Sequence, residues 1–164
     1  MLELDKIYNE DCMVGMQRIP DGSVDLVLTD IHYGGVNRDS NGLRNFDKGN
    51  ADICDFDVSA LTHKLCRISK GSVYMFCGFG QLSQIYEAMS IEDMSTRILV
   101  WEKTNPSPIN GEYIWLSGIE VCVFGKHRGG YLMSFAKIRF LDTRQHFQQF
   151  TQHKNLLKCL GDLL

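Results

Sequence analysis

The apolar residues of this chain fall into short, nearly continuous runs separated by sets spaced three and four apart, the pattern of strands alternating with helices. Val24-Asp25-Leu26-Val27-Leu28-Thr29 is too continuously apolar for a strand with one wet face, and predicts a strand inside a parallel sheet covered on both sides. Ahead of it, Pro20-Asp21-Gly22-Ser23 combines a preset backbone angle, a side chain that bonds its own backbone and a residue free to take positive φ, so a turn is expected there. Met13, Met16 and Ile19 carry helical spacing, which predicts a short helix over 13–19, with a first strand ending near Asp11. A second buried strand is expected over Gly71 to Phe76, after an intervening helix. Cys77-Gly78-Phe79-Gly80 then bends the chain into the helical set Leu82, Ile85, Tyr86 and Met89. Ile98-Leu99-Val100 reads as a strand ended by Trp101, and Glu120 stands ahead of another apolar strand. Periodicity is lost from Tyr131 until Leu156, and Leu156 to Leu164 is expected to be helical.

Composition narrows the class. With 164 residues, 44% apolar and 23% charged, the chain is long enough for one domain with a sizeable core. No run of about 18 uncharged apolar residues occurs, and Met1-Leu2-Glu3-Leu4-Asp5-Lys6 is no signal peptide, so a cytoplasmic protein without a membrane anchor is expected. Cys12, Cys54, Cys66, Cys77, Cys122 and Cys159 lack the close pairs of a zinc site, and His63, His127, His146 and His153 show no ligand spacing. Neither a metal nor a structural disulfide is expected. Charge is uneven: residues 1–120 carry a net −8 and residues 121–164 a net +5. The basic end suits either phosphates or water. Residues 34–50 form the one long polar, glycine-rich stretch, expected as a mobile loop, and 131–164 form an atypical C-terminal segment.

Candidate chemistry gathers at Asp30-Ile31-His32-Tyr33, which places a carboxylate, a bend and an aromatic ring where the first buried strand ends. Taken alone, Asp30 is better read as a turn or cap carboxylate and His32 as an ordinary loop histidine. The wider pattern resembles the DNA amino-methyltransferases that modify adenine N6 or cytosine N4. It comprises Ile7-Tyr8-Asn9-Glu10-Asp11-Cys12, the run Ile19 to Asp30, Gly71 to Phe76, Trp101-Glu102-Lys103-Thr104-Asn105-Pro106, and Glu120 before a strand. Its order resembles the subgroup whose catalytic motif precedes its main cofactor glycine motif, and it covers roughly residues 5 to 130. The resemblance implies an α/β methyltransferase-like Rossmann fold with a mostly parallel sheet whose C-terminal part is incomplete.

What the resemblance implies about function follows residue by residue. The amino-methyltransferases carry Asp-Pro-Pro-Tyr or a close variant at this position. There the aspartate and the next carbonyl hold an exocyclic amine tetrahedral toward the methyl donor, and the aromatic ring stacks a base swung out of the duplex. Asp30, Ile31 and Tyr33 take those roles here. Ile31-His32 in place of two prolines restores backbone donors and is expected to loosen the turn; His32 is read first as an ordinary loop histidine, with a place in the base pocket as the alternative. Asp11 and Cys12 match the segment that contacts the adenosyl part of S-adenosylmethionine, although Asp11 also suits a helix cap. Phe150-Thr151-Gln152-His153-Lys154-Asn155 is a blurred version of the segment preceding the glycine motif, which assigns Thr151, Gln152 and Lys154 to the cofactor. Phe76 to Gly80 imitates the glycine loop itself, but by position matches the strand after the catalytic motif. Arg38, Arg44 and Lys48 are available to phosphates of double-stranded DNA and Asn37 or Asn45 to base edges, while Lys103 and Asn105 make a second candidate rim in the region that the resembled enzymes use beside the target-base pocket.

The implied activity is methyl transfer from S-adenosylmethionine to DNA, as in restriction and modification. The alternatives are an inactive DNA- or partner-binding homologue and one half of a split methyltransferase. A homodimer or a complementing subunit is the expected assembly.

Overall fold

A computed structural model of the chain describes residues 2–33, 55–104 and 118–130 and the backbone of 156–159. The chain first forms a helical turn α1 (Cys12–Gly15) and a 3₁₀ turn (Met16–Arg18). Strand β1 (Val24–Asp30) leads to helix α2 (Val58–Ile68), strand β2 (Ser69–Cys77) and helix α3 (Leu82–Ile91). Strands β3 (Ser95–Glu102), β4 (Ile119–Lys126) and β5 (Leu156–Cys159) complete one sheet with the order β3-β4-β2-β1-β5.

The turn before β1 forms as the sequence predicts: Gly22 takes φ +58° and the Ser23 hydroxyl donates to the Pro20 carbonyl at 2.7 Å. Arg67 of α2 braces it by donating to the Ile19 and Met16 carbonyls at 3.1 and 2.7 Å and pairing with Asp21. Asp57 caps α2 by accepting from the Ala60 amide at 3.0 Å. Gly71 lets β2 approach β1 where their register shifts, since a β-carbon there would lie 2.2 Å from the Asp25 carbonyl oxygen.

Each sheet face carries its own apolar cluster. Val27, Val73, Met75, Val121 and Val123 meet the helices, with Leu65 and Ile68 of α2 and Ile85 and Met89 of α3 fully buried against them. Leu26, Tyr74, Cys122 and Phe124 cluster on the opposite face with Leu28, Phe76 and Leu99. The two-sided burial expected of β1 is therefore present, and its neighbours β2 and β5 run parallel to it.

Three expectations are corrected. The sheet is mixed rather than mostly parallel, because β4 lies between β2 and β3 and runs antiparallel to both. β4 starts at the rim where β3 ends, and the Lys103 amide donates to the Gly118 carbonyl at 2.7 Å to join the two ends. A central strand covered on both faces is continuously apolar in either direction, so Val121-Cys122-Val123-Phe124 does not reveal its polarity. No strand forms ahead of Asp11: residues 2–10 pair with no strand among the described residues, and Ile7 is fully exposed. Leu156–Cys159 is a strand rather than a helix, drawn onto the edge of β1 in the register Leu26↔Leu156 to Thr29↔Cys159. The loop expected over 34–50 and most of 131–164 lie outside the described residues.

Candidate functional site

The sheet order brings Asp30, Phe76, Trp101 and Glu120 to one rim. Asp30 ends β1 and pairs in register with Phe76 of β2, while Trp101 of β3 lies opposite Glu120 of β4. Alternation places all four on the face of Leu28, Leu99 and Cys122, away from the helices. The Phe76 and Trp101 rings meet edge to face, with centroids 6.3 Å apart and planes at 80°. Glu120 pairs with Lys103 at 2.6 Å.

Asp30 sits where its charge is disfavoured. Burial pushes its carboxyl above the usual carboxylate range, and Glu120 adds to the rise, while the nearby Tyr33 hydroxyl and the His32 ring act the other way. Burial, then Asp30 itself, pushes the Tyr33 hydroxyl up. That hydroxyl lies near enough to act on the Asp30 charge, yet it is buried and completes no hydrogen bond of good geometry among the described residues. The Trp101 indole N–H is likewise buried and meets no acceptor among the described residues. Both atoms lie at the rim that carries Asp30.

The Asp30 to Tyr33 loop is hydrogen-bonded to the elements beside it. The Ile31 amide donates to the Phe76 carbonyl at 3.2 Å, and the Ile31 side chain, only 7% exposed, is buried in the helix-side core. The His32 carbonyl accepts from Gln81 Nε2 at 2.7 Å, and the His32 ring meets Phe56 edge to face at 6.4 Å. Tyr33 packs on Gly78, where an added β-carbon would lie 3.4 Å from the Tyr33 β-carbon. In the sequence Gly78 reads only as part of a glycine loop, and neither Gln81 nor Phe76 stands out as a site residue. One signal for Gln81 is present: it stands at the N-cap of α3, where short oxygen-bearing side chains are usual, and makes no capping bond.

The remaining sequence-predicted residues are dispersed. Asp11 caps α1 by accepting from the Val14 amide at 3.1 Å, and burial raises the thiol of its half-buried neighbour Cys12. Lys103 reaches the rim but is engaged by Glu120. The stretch Gly78 to Gly80 lines a cavity of about 440 Å³ with Phe56, Asp57 and Gln84. Asn37, Arg38, Arg44, Lys48, Asn105, Thr151, Gln152 and Lys154 lie outside the described residues. Among the described residues no cluster of histidine, cysteine and acidic side chains suits a metal ion, and no helix is long and apolar enough to cross a membrane.

No known family profile matches the chain. No curated protein matches it either. Solved structures do match. The complex of M1.HpyAVI with SAM superposes with a TM-score of 0.55 at 16% identity, over 76% of this chain and 54% of that one. TTHA0409 from Thermus thermophilus, a proposed DNA modification methylase, superposes with a TM-score of 0.50 at 16% identity, over 92% of this chain and 66% of that one. The chain thus spans about half the length of the first and about two thirds of the second. At such identity the likeness is one of fold: an α/β chain with a mixed sheet resembling those of DNA modification methyltransferases.

Proposed function

We propose that this chain carries the target-base half of a DNA amino-methyltransferase, moving a methyl group from S-adenosylmethionine to the exocyclic amine of adenine N6 or cytosine N4. The observation that carries the reading is Asp30, a charge-disfavoured carboxylate at the carboxyl rim of the sheet, held beside Tyr33 on the same face as Phe76 and Trp101. Asp30 accepts one N–H of the amine. The Ile31 carbonyl, which meets no donor among the described residues, accepts the other. Together they turn the nitrogen lone pair, otherwise delocalised into the ring, toward the methyl carbon. When bound, S-adenosylmethionine supplies that carbon on a sulfonium, so the new N–C bond takes the place of a C–S bond and the amine sheds one proton. Tyr33 stacks the extruded base, and the Trp101 N–H offers its polar edge a donor. Asp11 retains a carboxylate oxygen for an adenosyl hydroxyl beyond the one used in its cap; Cys12, Thr151, Gln152 and Lys154 complete the proposed cofactor set. Arg38, Arg44, Lys48, Lys103, Asn37 and Asn105 are the proposed contacts to duplex DNA.

The test is transfer of a labelled methyl group from S-adenosylmethionine to DNA, alongside calorimetric titration of the cofactor. Saturable binding and transfer, with a loss of about 100-fold or more in Asp30→Ala at an unchanged circular dichroism spectrum, are expected. Transfer unaffected by Asp30→Ala overturns the reading.

A further inference from the structure

Most side chains at the start of a helix bond the helix's own free amides. Gln81 does not: at the N-cap of α3 it makes no capping bond, although it is 8% exposed and its carboxamide is engaged on both ends. Gln81 Oε1 accepts from the Gly78 amide at 2.9 Å, which closes the turn after β2. Gln81 Nε2 donates to the His32 carbonyl at 2.7 Å, across 49 residues of sequence. The turn it closes is the one against which Tyr33 packs, since a β-carbon on Gly78 would press the Tyr33 β-carbon and α-carbon at 3.4 and 3.7 Å.

We propose that Gln81 is the positioning residue of the Asp30 to Tyr33 loop, a buried carboxamide clamp that sets where the carboxylate and the stacking ring stand relative to one another. The inference rests on the methyl-transfer reading for its consequence, but its geometry stands apart from it. Two prolines would fix such a loop through their own backbone angles. Ile31-His32 cannot, and the fixing is done from outside, by the Ile31 amide on the Phe76 carbonyl at one end and Gln81 on the His32 carbonyl at the other. A carboxamide suits this task because a single planar group offers an acceptor and a donor at once. A carboxylate in its place keeps the bond from Gly78 and sets an oxygen against the His32 carbonyl oxygen.

That difference supplies the test. Gln81→Met keeps length and burial and removes the bonds to Gly78 and to His32, while Gln81→Glu keeps the first and removes the second. Both variants are expected to lower the methyl-transfer kcat by about 10- to 100-fold with the KM for S-adenosylmethionine unchanged, the signature of misplacement rather than lost binding. In Gln81→Glu the rate relative to the parent chain is expected to recover as pH falls and the introduced carboxyl regains a proton to donate. Hydrogen exchange is read in parallel. The amides of residues 31–33 are expected to exchange roughly tenfold faster in both variants, the factor one lost hydrogen bond supports. The Gly78 amide is expected to stay protected in Gln81→Glu and to exchange faster only in Gln81→Met. If the parent chain transfers no methyl group, the enzyme reading fails and the exchange pattern alone decides the clamp. Unchanged exchange at 31–33, or a kcat within twofold of the parent in both variants, overturns the proposal.

Discussion

Lys103 Nζ lies 2.6 Å from the Glu120 carboxylate, and Glu120 in turn raises the proton affinity of Asp30. The rim of the sheet therefore holds two carboxylates and one ammonium on a face otherwise occupied by Phe76 and Trp101. Burial does more than Glu120 to disfavour the Asp30 charge, so removing Glu120 is expected to shift Asp30 without restoring the ordinary value. In Glu120→Gln the acid limb of the methyl-transfer pH profile should move to lower pH, because Asp30 stays ionised further into acid. The lost ion pair, partly exposed on both sides, should cost under about 1 kcal/mol of stability. Rate measurements across pH check the first outcome and urea unfolding the second; an acid limb that moves upward sinks the idea that Glu120 acts on Asp30.

Asp30 reverses the usual behaviour of a folded-state carboxylate. Its folded value lies above the unfolded one, so the stability it contributes is complete below the ordinary value of 3.8 and is lost as pH rises through the folded value. Near neutral pH the ionised group is a cost to the fold. Asp30→Asn is expected to raise the thermal midpoint at pH 7, with the gain shrinking as pH falls through the raised value, while methyl transfer drops about 100-fold or more. Thermal unfolding from pH 3.5 to 8 reads the trend, and a variant less stable than its parent at pH 7 contradicts it.

Ile31 occupies a position where the resembled motif has proline, and its backbone and side chain are both engaged. Ile31→Pro removes the donor to the Phe76 carbonyl and takes a 7% exposed side chain from the helix-side core. A loss of about 2–4 kcal/mol is expected from the two effects together. Denaturant titration measures it, and a midpoint equal to the parent's would show that the loop is held without this residue.

Much of this architecture is legible in the sequence because burial and periodicity are local. The turn at Gly22, strand β1, the strand from Gly71 to Phe76 with the bend that follows it, and the helix through Ile85 and Met89 all declare themselves within a dozen residues. What the sequence hides depends on partners far along the chain. The direction of β4 is set by its place between β2 and β3, and Leu156–Cys159 becomes a strand through the edge of β1. In the site, Asp30 and Tyr33 are legible as a strand-end motif. The contacts of their loop are not, because they are made by Phe76 and by Gln81, 49 residues from His32.

Trp101 offers the last separation of fold from function. Its ring contributes to the rim through edge-to-face contact with Phe76 at 6.3 Å, yet its indole N–H is buried with no acceptor among the described residues. An unmet buried donor costs about 1–3 kcal/mol, and such a cost is tolerated where a ligand later supplies the acceptor. Trp101→Phe keeps an aromatic ring against Phe76 and deletes the donor, but leaves a smaller ring in a packed site. The two effects oppose one another, so the free protein is expected to keep its stability to within about 1 kcal/mol. Binding should respond differently. If the indole N–H serves the target base, the variant's KM for DNA should rise about tenfold, equivalent to one hydrogen bond, with the KM for S-adenosylmethionine unchanged. Urea unfolding and steady-state kinetics separate the two. A variant that loses several kcal/mol and binds DNA as before would make Trp101 a packing residue whose buried N–H has no part in recognition.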